Sequence, residues 1–142
     1  MKTIIFDFDN TLFDTQRLKA DIHDVLVRSG VPTKIVQDSF AKMRELHPSS
    51  YSFDAHKRLV REIFDWKEID DQLGVDFLAN SLESHLLPDT LEKLQKFYGK
   101  YRLMLLTRGD KDFQNLKIRR AGIGHFFDQI IVTEEDKGDL LR

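Results

Sequence analysis

Two aspartates one residue apart, Asp7 and Asp9, stand directly after a short apolar run, Ile4-Ile5-Phe6. A continuous run of this length, β-branched and aromatic, suits a strand covered on both faces of a parallel sheet. Carboxylates at i and i+2 leave such a strand on the same side. Two anions held that close repel, so a proton or a cation must sit between them. Mg²⁺ is the natural candidate, being hard, oxygen-seeking and content with few protein ligands. A bare Asp-x-Asp is more often a pair of loop carboxylates. Here the pair ends a buried strand and runs straight into Asn10-Thr11-Leu12, which favours chemistry.

Two more apolar runs of the same kind follow. Leu103-Met104-Leu105-Leu106 leads into Thr107-Arg108-Gly109, and Ile130-Ile131-Val132 leads into Thr133-Glu134-Glu135-Asp136-Lys137. Open parallel sheets bind ligands at the C-terminal ends of their strands. The polar residues after the three runs are therefore expected along one edge. Helical periodicity fills the space between the first two runs. Leu18, Ile22, Val25 and Leu26 mark one helix, closed by Gly30 and Pro32. Ile35 to Leu46 mark a second, Leu59 to Phe64 a third, and Val75, Leu78, Leu82 and Leu86 a fourth. A fifth carries Leu91, Leu94 and Phe97, and a sixth carries Phe113 and Leu116 up to Gly122. These helices are too many for a single crossover, so residues 14–86 read as a helical unit inserted into an α/β core of residues 1–13 and 87–142. Pro88 is expected to end one element, and Asp89 to cap the next.

The 142 residues carry 22 Lys+Arg against 24 Asp+Glu, a net charge of −2, which argues against a nucleic-acid footprint spread over the surface. A hydrophobic content of 41% supports a real core. The absence of cysteine excludes disulfide scaffolds, thiolate metal sites and cysteine nucleophiles. No apolar run approaches the roughly 20 residues that span a bilayer. The N-terminus reaches carboxylates too early for a signal peptide, so a cytoplasmic location is expected.

The stretch Asp7-Phe8-Asp9-Asn10-Thr11-Leu12 resembles the first motif, Asp-x-Asp-x-Thr, of the haloacid dehalogenase superfamily. Leu105-Leu106-Thr107-Arg108-Gly109 resembles its second motif, an apolar strand ending in Thr or Ser. The insertion after the first motif resembles the helical cap of one subfamily, and Pro88-Asp89-Thr90-Leu91 the return to the core. The resemblance implies a Rossmann-like parallel sheet with an inserted α-helical cap. It implies a Mg²⁺-dependent phosphomonoester hydrolase, acting on a small phosphorylated metabolite through an aspartyl-phosphate. Asp7 would be the nucleophile and Asp9 the general acid/base. Mg²⁺ would be held by the Asp7 carboxylate and the Asp9 backbone carbonyl. Thr107 would bond a phosphoryl oxygen, and backbone N–H groups from Phe8 to Asn10 would form an anion nest. Lys137 would pair with the phosphate and the nucleophile, with Lys111 as runner-up.

Asp9 speaks for phosphate chemistry, because family dehalogenases lack an acid there. Arg108 stands where Asn is common, and either reaches a second anionic group of the substrate or points to solvent. Arg17 and Lys19, just past Phe13-Asp14-Thr15, could face the site, but such residues more often form the polar outer face of a helix, which is the favoured reading. The five histidines show no metal spacing and read as surface or half-buried residues. Glu134, Glu135 and Asp136 read as solvated surface. The alternatives are a phosphomutase with the same aspartate pair, or a non-catalytic HAD-like domain. Nothing after Lys137 matches the family's fourth, acidic motif, so metal binding is expected to be weak. The first strand is expected to be a bare sheet edge. Three outcomes follow from that: a longer gene product, a partner chain supplying strands, or self-association through the edge.

Overall fold

The computed structural model describes residues 1–65 and 78–134. Strand β1 (Thr3–Phe6) is followed by helices α1 (Thr15–Arg28), α2 (Thr33–Leu46) and α3 (Phe53–Ile63). A 3₁₀ turn (Glu83–His85), helix α4 (Thr90–Phe97), strand β2 (Arg102–Arg108), helix α5 (Lys111–Ala121), a second 3₁₀ turn (Gly124–Phe126) and strand β3 (Gln129–Thr133) complete the order. The three strands form one parallel sheet in the order β1-β2-β3. Leu103, Leu105 and Leu106 of the middle strand are buried, as the continuous apolar run predicts. β1 is an edge strand among the described residues, and Ile5 on it is 45% exposed.

Local chemistry explains most helix ends. The Asp14 carboxylate accepts from the Arg17 N–H at the start of α1, and the Ser52 hydroxyl accepts from the Ala55 N–H at the start of α3. The Asp110 carboxylate accepts from the Phe113 N–H and starts α5, which stops at Gly122 with φ 73°. Asp89 differs from expectation. It takes a left-handed conformation (φ 70°) and its side chain makes no cap bond. The re-entry is fixed instead by Thr90, whose hydroxyl donates to the Leu12 carbonyl at 2.9 Å.

The fourth helix expected over residues 75–86 falls partly outside the described residues, as does Lys137. In its described part, 82–86 does not continue as a helix. The Leu82 N–H is drawn to the Arg120 carbonyl at 2.9 Å, and Leu86 is extended and bridges Phe13. The outgoing and returning chains thus run side by side. The Asp14 N–H donates to the His85 carbonyl and the Leu87 N–H to the Leu12 carbonyl.

Two buried histidines, His56 and His85, contradict the surface reading. His56 is fully buried between α2 and α3. The Ser39 hydroxyl donates to the Val36 carbonyl at 2.7 Å, so its oxygen can only accept from His56 Nε2 at 2.6 Å. That places the imidazole proton on Nε2 and leaves Nδ1 to accept from the Tyr51 hydroxyl at 2.8 Å. Burial lowers the His56 pKa from 6.5 to about 4. Between those values the unfolded chain binds the proton and the native state does not. Stability is therefore full above pH 6.5 and falls as the pH drops toward 4, by about 3 kcal/mol in all. Urea midpoints at pH 7 and pH 4.5 should show this loss, and His56→Gln should flatten it.

Candidate active site

Asp9 lies in a tight turn at the C-terminal end of β1. The Phe8 carbonyl accepts from the N–H groups of Thr11, Leu12 and Phe13, and the Asn10 N–H donates to the Phe13 carbonyl. Asn10 pays for this turn with φ 59°, a conformation asparagine tolerates better than most residues. The expected anion nest is not formed in this arrangement. The Phe8 N–H is spent on Asp7 Oδ1 at 2.8 Å and the Asn10 N–H on Phe13, because the turn itself consumes them.

The Asp9 carboxylate is the hub of the site. Oδ1 accepts from the Thr15 hydroxyl at 2.7 Å and from Lys117 Nζ at 2.8 Å, and Oδ2 accepts from Gln114 Nε2 at 2.8 Å. The same Gln114 amide donates to the Thr107 hydroxyl at 2.9 Å. Both amide hydrogens are thus used, and Gln114 ties the ends of β1 and β2 together. Thr107, predicted to face the aspartate pair, is brought there but covered by this amide, at 1% exposure.

Lys117 is buried against three rings, with Nζ 5.1 Å from the centroid of Phe113, 5.6 Å from Phe13 and 5.7 Å from Phe8. Burial pushes its pKa down, and the Asp9 charge resists that shift. For Asp9 burial alone would raise the pKa. The Lys117 charge and the hydrogen bonds from Lys117, Thr15 and Gln114 outweigh it and hold the carboxyl below 3.8.

A cavity of about 190 Å³ opens above this cluster. Asp9, Thr15, Gln114 and Lys117 line it together with Leu18 and Ile22, and Lys19 and Arg108 are also in its lining. Asp7, half-buried at the end of β1, and the exposed Asn10 are not in the lining. Arg17 is turned away, its Nη1 donating to the Ser84 carbonyl beside the returning chain. Lys111 and Glu134 are exposed. Lys137, Glu135 and Asp136 lie outside the described residues. Gln114 and Lys117 carry the site's hydrogen bonding, although the apolar periodicity of α5 pointed only to Phe113 and Leu116.

The donors available to Mg²⁺ are oxygens of the right hardness. The hydrogen bonds of the turn land on the Phe8 and Phe13 carbonyls, which leaves the Asp9 carbonyl out of them. The Asp9 carboxylate is committed to Lys117, Gln114 and Thr15, so the Asp9 contribution to a metal falls to its backbone. Asp7 would supply the carboxylate. No group of three or more His, Cys, Asp or Glu that could hold a metal occurs among the described residues. Two protein oxygens fit an ion that keeps most of its waters.

Gly109 closes the site at the end of β2 with φ 157°. A Cβ there would stand 2.8 Å from Gln114 Cγ. Gly109→Ala should therefore displace the amide that links Asp9 to Thr107 and destabilise the chain by about 1–3 kcal/mol. Thermal melting checks this, and an unchanged melting temperature would contradict it.

Residues 4–139 match the family model for haloacid dehalogenase-like hydrolases. The chain is 30% identical to the glyceraldehyde 3-phosphate phosphatase of Methanothermobacter thermautotrophicus over 146 residues, 95% of this chain and 64% of the relative. Among solved structures, a haloacid dehalogenase-like hydrolase from Burkholderia xenovorans superposes with a TM-score of 0.78 at 19% identity, over 97% of this chain and 64% of that one. The L-2-haloacid dehalogenase of Xanthobacter autotrophicus gives 0.57 at 19% identity, over 93% and 56%. These structural likenesses establish the fold alone. The chain spans 64% of the length of its phosphatase relative. Among the described residues, no helix is long and apolar enough to cross a membrane.

Proposed function

The chain belongs to the haloacid dehalogenase-like hydrolases, and we propose that within them it is a Mg²⁺-dependent phosphomonoester hydrolase for a small phosphorylated metabolite. The relative that acts on glyceraldehyde 3-phosphate supports a phosphate ester as substrate. The single observation that carries the reading is the Asp9 cluster. A carboxylate with a lysine, an amide and a hydroxyl fixed on it lines a cavity. A halide needs no proton to leave, whereas an alkoxide does, so a carboxylate positioned to relay a proton belongs with ester chemistry.

In this reading the Asp7 carboxylate attacks phosphorus and becomes an acyl phosphate. Asp9, held as a carboxylate, first takes up the proton that a monoester monoanion brings on its phosphate, passes it to the leaving oxygen, and later takes one from the hydrolytic water. Thr15, Gln114 and Lys117 hold the Asp9 carboxylate in place for both transfers. Thr107 donates to a phosphoryl oxygen once that oxygen replaces it as a partner of the Gln114 amide. The Asp7 carboxylate and the Asp9 carbonyl would hold Mg²⁺, which would supply charge compensation for the phosphoryl group.

Helices α1–α3 act as the cap, with α1 contributing Thr15, Leu18, Lys19 and Ile22 to the cavity and the loop between α2 and α3 contributing Tyr51. Residues 1–13 and 87–142 form the core and 14–86 the cap, with the paired crossing at Leu12–Asp14 and His85–Leu87 as the hinge. The test is release of inorganic phosphate from a panel of small monoesters with Mg²⁺, by the native chain and by Asp7→Asn.

A further inference from the structure

Resting on the hydrolase reading above, we propose that the substrate is a small phosphorylated carboxylic acid, whose carboxylate is gripped by Lys19 and Arg108 while its phosphate faces the two aspartates. The charges lining the cavity do not balance without such a group. Asp9 and Lys117 neutralise each other at 2.8 Å. Lys19 from α1 and Arg108 from the end of β2 remain, and neither makes an ion pair with a described residue. The fold thus brings two cations from separate elements to one opening. Lys19 is also close enough to disfavour the charge on Lys117. Like charges gathered in this way cost energy that a bound anion recovers.

The geometry suits a carboxylate. Arg108 Nε donates to the Glu134 carbonyl at 3.3 Å, which steadies the guanidinium and leaves its terminal nitrogens for a planar anion. Leu18, Ile22 and Phe113 form apolar lining, which strengthens charge interactions in the cavity. A volume of about 190 Å³ is smaller than the roughly 300 Å³ at which drug-sized ligands begin to fit, so a three- or four-carbon acid is the scale. In the hydrolase reading the phosphate is assigned to the aspartate pair and Thr107, which leaves Lys19 and Arg108 for a second anionic group. Arg108 is therefore read as a specificity residue.

Equilibrium binding by calorimetry tests this, without Mg²⁺ so that turnover consumes no ligand. The probes are 3-phosphoglycerate and glycerol 3-phosphate, which share a phosphate and a three-carbon frame and differ in carboxylate against hydroxymethyl. The native chain should bind the acid at least about tenfold tighter, in line with a charge-assisted bidentate contact. Lys19→Met and Arg108→Met should each reduce that ratio, and together bring it near one, with melting temperatures unchanged since both side chains are exposed. Equal affinities in the native chain, no binding of either probe, or a preference surviving in the double variant would overturn the proposal. The hydrolase reading is judged separately, by phosphate release from any monoester and its loss in Asp7→Asn.

Discussion

Asp7→Asn is expected to cut phosphate release by about 10⁴-fold or more while leaving the melting temperature almost unchanged. The amide is close in shape to the carboxylate, and its oxygen can still accept from the Phe8 N–H, which the native Oδ1 does at 2.8 Å. What it loses is the anionic oxygen that forms the bond to phosphorus. Steady-state phosphate release, with circular dichroism to confirm folding, separates the two effects. Retained turnover would mean that the nucleophile lies elsewhere and would remove the mechanism given above. Asp9→Asn is the informative contrast. It should slow the reaction and also lower stability, because Asp9 is the counter-ion of the buried Lys117 and Asp7 is not.

Lys117→Met is expected to produce the largest stability loss of any single change at the site. Its side chain is 4% exposed and Asp9 keeps 27%, so removal of the ammonium leaves a carboxylate that is mostly desolvated and short of its charge partner. Breaking a buried pair from one side costs about 3–5 kcal/mol, and the partial exposure of Asp9 points to the lower end, about 3 kcal/mol. Methionine preserves the packing against Phe8, Phe13 and Phe113, so the loss reports charge and not volume. Urea unfolding of Lys117→Met, Asp9→Asn and the double variant forms a thermodynamic cycle. The double variant should recover part of the loss, since it strands no charge. If the two losses simply add, the pair is not coupled and Lys117 is a packing residue.

Much of this site was legible along the chain because strand ends announce themselves. Three short apolar runs, each breaking into polar residues, located the strands, and the rule that parallel sheets bind at their C-terminal ends put Asp9, Thr107 and Arg108 on one edge. Glycine and proline placed the ends of α1 and α5 for the same local reason, since φ and hydrogen bonding at those residues depend on near neighbours. The family motif added the roles of Asp7 and Asp9, which spacing alone left open between a metal site and a loop pair.

Gln114, Lys117 and His56 were not legible, and the cause is shared. Each is a polar residue on a buried helix face, where periodicity leads one to look for leucine. Gln114 and Lys117 sit at i and i+3 on α5, a spacing that could have flagged a common target. That target is Asp9, more than 100 residues earlier in the chain. Whether a buried polar group is satisfied depends on partners that only the folded chain assembles. Asp89 shows the same limit in reverse, a residue of capping type that does not cap because Thr90 already fixes the re-entry. The chain's own order of residues determined the sheet, its edge and the aspartate pair. Only the tertiary structure decided which side chains hold Asp9, because strand and helix periods are local properties, whereas the partners of a buried charge are set by long-range packing.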